Sequence, residues 1–190
     1  VVIRACYNFH SGDLERLKQY CKLGIIRLIT SEIVINEVKD HIREDVSLCA
    51  AQIKKHFNER NPISEIKLIE KYSVFFDDDV YCGWTEIVLA QWQNYLKEAE
   101  CVVIPFCDVS ITELFSDYFS SMPPFEDRNK KKNEFPDAVI IRSILLYGED
   151  SLTTIFAYSH DTGWQNAFPD MKLDNSLISP RKFIVVNSVN

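Results

Sequence analysis

Glu134-Phe135-Pro136-Asp137-Ala138, followed downstream by Ile155-Phe156-Ala157-Tyr158-Ser159-His160-Asp161, sets a helix start against a strand end and decides how the chain is read. Proline suits the first position of a helix, where its missing N–H goes unused. Asp137 therefore falls in the first turn and faces the positive end of the helix dipole. That helix is expected to run to about Tyr147 and to stop at Gly148. The apolar run Ile155 to Tyr158 reads as a buried strand, which leaves Asp161 just past its carboxyl end. Open parallel sheets bind ligands at that edge. Two acids so placed, joined by one more from elsewhere, would make a divalent-metal site, and such a site points to hydrolysis of phosphodiesters.

Helices and strands alternate outward from this segment. Ser11 caps a helix over about 12–23, with Leu14, Leu17 and Cys21 on one face and Gly24 as its stop. A short apolar strand is expected over Ile25 to Ile29. Ser31 then opens a long helix whose apolar positions include Val34, Val38, Ile42, Val46, Ile53 and Phe57. Further helices are expected over 63–76, 84–99 and 110–119, a strand over Cys101 to Phe106, a short helix near 162–167, and weak strands within 173–189. The fold class this predicts is α/β. It is a three-layer α/β/α, Rossmann-like arrangement with a central, mostly parallel sheet, helices on both faces and a helical insertion after the second strand. Residues 1–190 are read as a single domain. The first helix needs a strand before it, and only Val1-Val2-Ile3 is available, so the opening strand is expected upstream of Val1.

A hydrophobic fraction of 46% beside 26% charged residues is that of a globular domain with a packed core. The net charge of −7 argues against non-specific coating of DNA. A metal-centred nuclease escapes that objection, because its carboxylates are neutralised by the ions they bind. Arg128, Lys130, Lys131 and Lys132 stand just before Asp137. Alone they would read as a solvated loop, but beside a phosphate-cutting site they read as a grip on the nucleic-acid backbone. No apolar run approaches the roughly 20 residues that span a bilayer, so no membrane association is expected. The six cysteines form no Cys-x-x-Cys pair and show no zinc spacing, which reads as reduced core cysteines in a cytoplasmic protein. Gly-x-Gly-x-x-Gly, Walker and Gly-x-Ser-x-Gly patterns are all absent, and this disfavours nucleotide-cofactor enzymes and α/β-hydrolases.

A third acid comes from the long helix, Ser31-Glu32-Ile33-Val34-Ile35-Asn36-Glu37-Val38. Glu37 is flanked by apolar positions and angled toward the core, where a glutamate needs a metal or a hydrogen-bonding partner. Taken singly it would be an ordinary solvated helix residue. Glu37 and His41 share a helix face, yet a solvated or core-edge histidine explains His41 better than a ligand does. Asp77-Asp78-Asp79 lacks the alternation and glycine of a calcium loop and is read as a helix cap. Trp84, Trp92 and Tyr95 are spaced for core packing, with base stacking the other use open to Trp84 and Tyr95.

Ser31 through Glu37, Glu134 through Ala138 and Ser159-His160-Asp161 together resemble the PIN domains, metal-dependent nucleases. The Phe-Pro-Asp-Ala form and the long helical insertion look most like the PIN-like subgroup once catalogued as a domain of unknown function. This resemblance implies a carboxylate cluster of Glu37, Asp137 and Asp161 around one or two Mg²⁺ or Mn²⁺ ions, and metal-assisted in-line hydrolysis of nucleic acid, RNA more than DNA. The family's remaining aspartate, at the end of its first strand, has no match in Val1-Val2-Ile3-Arg4 and is expected before Val1. Ser31 and Ser159 match small polar positions near the metals, while Lys130, Lys132 and His160 are assigned to substrate. A toxin or defence setting, with a homodimer or an antitoxin-like partner, goes with this reading. The competing hypothesis is a catalytically degenerate PIN-like domain that serves as a binding or scaffold module. A phosphatase of the haloacid-dehalogenase type would need Asp-x-Asp after a strand, which Ser159-His160-Asp161 does not supply.

Overall fold

The end of the first helix decides where the first strand can begin. In the computed structural model, which describes residues 7–10, 12–58, 65–66, 68–73, 77–126, 133–148, 155–158, 162–167 and 183–186, α1 spans Gly12–Lys22. Gly24 follows in the left-handed region at a φ of 67°. Its N–H donates to the Cys21 carbonyl at 2.9 Å, and the N–H of Ile25 donates to the Tyr20 carbonyl at 3.1 Å. This Schellman closure satisfies the last carbonyls of α1, and it occupies the Ile25 N–H that a strand ladder would need. The strand expected over Ile25 to Ile29 therefore starts later. β1 is Ile29–Ser31, and Ile25 remains 65% exposed.

From β1 the chain turns at once into α2, Glu32–Asn58. Ser31 caps it, its hydroxyl accepting from the Val34 N–H at 3.2 Å. A short α3, Glu70–Ser73, lies in the segment expected to be helical over 63–76. Then comes α4, Asp78–Glu98, which begins earlier than its apolar spacing predicted. The acidic run at 77–79 thus leads into a helix whose first residue is Asp78. The rest of the order is β2 (Val102–Ile104), α5 (Ile111–Ser120), α6 (Phe135–Gly148), β3 (Ile155–Tyr158), α7 (Thr162–Ala167) and β4 (Phe183–Val186). The chain is thus α/β. Among the described residues β1 pairs with β2, and β3 pairs in parallel with β4 from Ile155↔Phe183 to Tyr158↔Val186.

Two compact units share these elements. One joins the stretch up to Leu28 with Ile35–Val102, the other Ile29–Val34 with everything from Val103 onward. In the first, α1 packs on α4 around Phe9, Leu14, Trp92 and Tyr95. Tyr95 donates its hydroxyl to the Leu14 carbonyl at 2.9 Å. Lys18 is buried and donates to Glu15 and Glu98, each at 2.8 Å. Trp92 and Tyr95 are core residues, as expected. In the second unit, α6 packs against β1 and α7. It buries Ala138, Ile140, Ile141 and Ser143, which lie on several sides of the helix, the pattern of a helix enclosed by its neighbours.

The four cysteines among the described side chains divide differently from the expectation. Cys21 and Cys101 are half-buried free thiols, while Cys49 and Cys107 are exposed because they sit on a solvent-facing helix side and in the β2–α5 connection. Among the described residues no helix is long and apolar enough to cross a membrane.

Candidate functional site

Aromatic packing fixes the amino end of α6. Phe125 is fully buried with Leu114 and Ala138, and Tyr118, Phe135 and Val139 pack against them. The Phe135 ring lies 5.0 Å from that of Phe125 and 5.1 Å, stacked, from that of Tyr118. Phe135 precedes Pro136-Asp137, so the residue that starts the helix is clamped by rings from α5 and the following turn. The Glu134 carbonyl accepts from the Ala138 N–H at 2.9 Å, which closes the first turn. Arg142, farther along α6, adds an ionic clamp. Its guanidinium reaches Glu113 at 2.6 Å and grips the Asp117 carboxylate through Nε at 3.0 Å and through Nη2.

Asp137 therefore stands on a rigid platform, in the first turn and half-buried. Its Oδ1 accepts the indole N–H of Trp164 from α7 at 2.9 Å. Two residues on, Asn166 donates from Nδ2 to Glu126 Oε2 at 2.6 Å. α7 is thus tied both to Asp137 and to the turn that ends α5. Sequence reasoning missed Trp164. The available signal was an indole, a donor with no acceptor capacity, placed on the helix that follows Asp161.

Ser31 is buried, and its hydroxyl serves as the α2 cap. The strand that carries it packs against the helix that carries Asp137. Glu37 belongs to the other unit, on α2, half-buried and engaged with its surroundings. Lys130, Lys132, Ser159, His160 and Asp161 lie outside the described residues, as do Arg128 and Val1 to Cys6. His41 Nδ1 stands 3.6 Å from Glu44 and has no hydrogen-bond partner among the described residues. Among the described residues no group of three or more His, Cys, Asp or Glu is arranged to hold a metal. Asp161, one of the three expected acids, falls outside that set.

The donor chemistry at Asp137 fits a hard divalent cation. A half-buried carboxylate, held by a hydrogen bond from an adjacent helix, has the outer-shell support that metal-ligating carboxylates carry. By contrast, a hollow of about 260 Å³ in the first unit is walled mainly by apolar side chains, Ile42, Val46, Trp84 and Ile87 among them, with Asp45, an acid, beside Tyr7. It does not suit a phosphate.

No curated protein and no solved structure gives a significant match to the chain. A family model described as PIN domain matches residues 1–164, which covers α6, β3 and the segment through Trp164. The chain therefore belongs to the PIN domain family.

Proposed function

We propose that the chain is a divalent-metal-dependent nuclease that hydrolyses phosphodiester bonds, RNA in preference to DNA, with Glu37, Asp137 and Asp161 as the acids that hold the ion. PIN domains are generally nuclease-like and typically use divalent metals. The observation that carries the reading is Asp137 itself, a half-buried carboxylate at the positive end of α6 with its Oδ1 held by Trp164.

An all-oxygen ligand set suits Mg²⁺ or Mn²⁺. When bound, such an ion polarises the phosphate and supplies an activated water. The protein's own groups bind and orient. Asp137 contributes its carboxylate from α6, Glu37 from α2, and Asp161 from the segment after β3. Lys130 and Lys132 grip backbone phosphates, and Ser159 and His160 touch the substrate, while Ser31, buried, serves the site by capping α2. The same reading takes in the architecture, a single three-layer PIN-like domain with its strands in one mostly parallel sheet. It also takes in a cytoplasmic toxin or defence setting, with a second copy or an antitoxin-like protein as partner.

A panel of RNA and DNA substrates tests the proposal, offered to the full-length protein with Mn²⁺, with Mg²⁺ and with a chelator. RNA cleavage that requires the metal is the expected result. If no substrate is cut and calorimetry detects no Mn²⁺ binding, the nuclease reading fails and a PIN-like scaffold takes its place.

A further inference from the structure

Trp164 is half-buried on α7, and its indole N–H donates to the Asp137 carboxylate at 2.9 Å. Asp137 accepts from this donor 27 residues away in sequence. Trp92, in the other unit, is 2% exposed with no acceptor for its Nε1 among the described residues. The Trp164–Asp137 bond is a specific pairing.

We infer that Trp164 is a positioning residue for Asp137: its indole fixes the carboxylate in the orientation in which it meets a divalent cation. This rests on the assignment of Asp137 as a metal ligand. Three properties suit tryptophan to the task. The indole N–H is a donor with no acceptor capacity, so it bonds the carboxylate in only one sense. A hydrogen bond to an ionised acceptor is about twice as strong as one between neutral groups. The ring has only two side-chain torsions, so little conformational freedom is lost in holding it. α7 is itself anchored through Asn166 to Glu126, which keeps the indole from drifting away from α6.

Trp164→Phe removes the N–H and keeps most of the ring. The Mn²⁺ affinity of the full-length protein, read by calorimetry, should fall about 10- to 100-fold, the usual cost of losing an outer-shell partner. In an Asp137→Asn background the same change should add less than about 2-fold, since Trp164 acts through Asp137. A spectroscopic arm needs no variant to fold. Of the three indole N–H resonances in a ¹⁵N-labelled sample, that of Trp164 should move with added Mg²⁺ while the Trp92 resonance stays. The inference is overturned if Asp137→Asn weakens Mn²⁺ binding while Trp164→Phe binds as wild type and the Trp164 resonance ignores Mg²⁺. The assignment of Asp137 is what fails if Asp137→Asn itself binds Mn²⁺ as wild type does.

Discussion

Replacing Phe125 with alanine should test how the amino end of α6 is held. The ring is 0% exposed, and it contacts Tyr118 edge-on at 5.4 Å and Phe135 at 5.0 Å between centroids. A buried phenylalanine cut back to alanine costs about 3–5 kcal/mol, with the lost aromatic pairs placing it toward the upper part of that range. For a chain of this size each kcal/mol moves the melting temperature by roughly 2–4 °C, so Phe125→Ala should melt about 6–20 °C lower. Phe119 supplies the control. It touches the same cluster, through Phe115 and Tyr118, but is 77% exposed, and Phe119→Ala should cost below about 1 kcal/mol. Calorimetric melts of both variants decide the matter. Equal losses in the two, or a loss below about 1 kcal/mol in Phe125→Ala, would refute the clamp on Phe135 from which the placement of Asp137 follows.

The buried Lys18 cluster predicts a pH window. Hydrogen bonds from Lys18 hold the Glu15 and Glu98 carboxyls below their ordinary 4.5, and those same acids raise Lys18 above its ordinary 10.5. The stabilisation is complete between those two ordinary values. It fades as pH falls through the lowered carboxyl values or rises through the raised lysine value. Burial also pushes Tyr95 up to about 12, which adds to the alkaline loss. The melting difference between wild type and Lys18→Met should be level across that window and shrink on both sides, whereas a difference independent of pH would contradict the ion-pair account. Burial likewise pushes the Cys101 thiol up to about 11 and raises Cys21, while Cys49 and Cys107 are exposed. Iodoacetamide at about pH 8 should therefore label Cys49 and Cys107 before Cys21 and Cys101 in the folded protein, and peptide mass mapping that finds Cys101 labelled as fast as Cys49 would count against its burial.

Local chemistry was legible in the residues themselves. Pro136 marked the start of α6, Gly24 the stop of α1, and Ser31 the cap of α2, because each acts on backbone groups within a turn of itself. Spacing located the core faces of α2 and α4 through Val38, Ile42, Trp92 and Tyr95. The run Ile25 to Ile29 misled, since hydrophobicity cannot reveal that a helix cap will claim the Ile25 N–H. Tertiary partners were out of reach for a related reason. Lys18 reads as a surface residue on α1, and its burial depends on Glu98, 80 residues away. The bonds from Arg142 to Asp117 and from Trp164 to Asp137 join residues 25 and 27 apart on different helices, and neither has a periodic signature. Asp137 was thus found from its own motif, but the indole that holds it was not.

Mn²⁺-dependent cleavage of RNA by the full-length protein and its Asp137→Asn variant tests the central claim most directly. An ion held by carboxylates contributes several kcal/mol of transition-state charge stabilisation, and each 1.36 kcal/mol is a factor of ten. The variant should therefore cut about 100-fold more slowly or worse at the same Mn²⁺ concentration. Cleavage by Asp137→Asn at the wild-type rate would show that the metal chemistry does not run through Asp137.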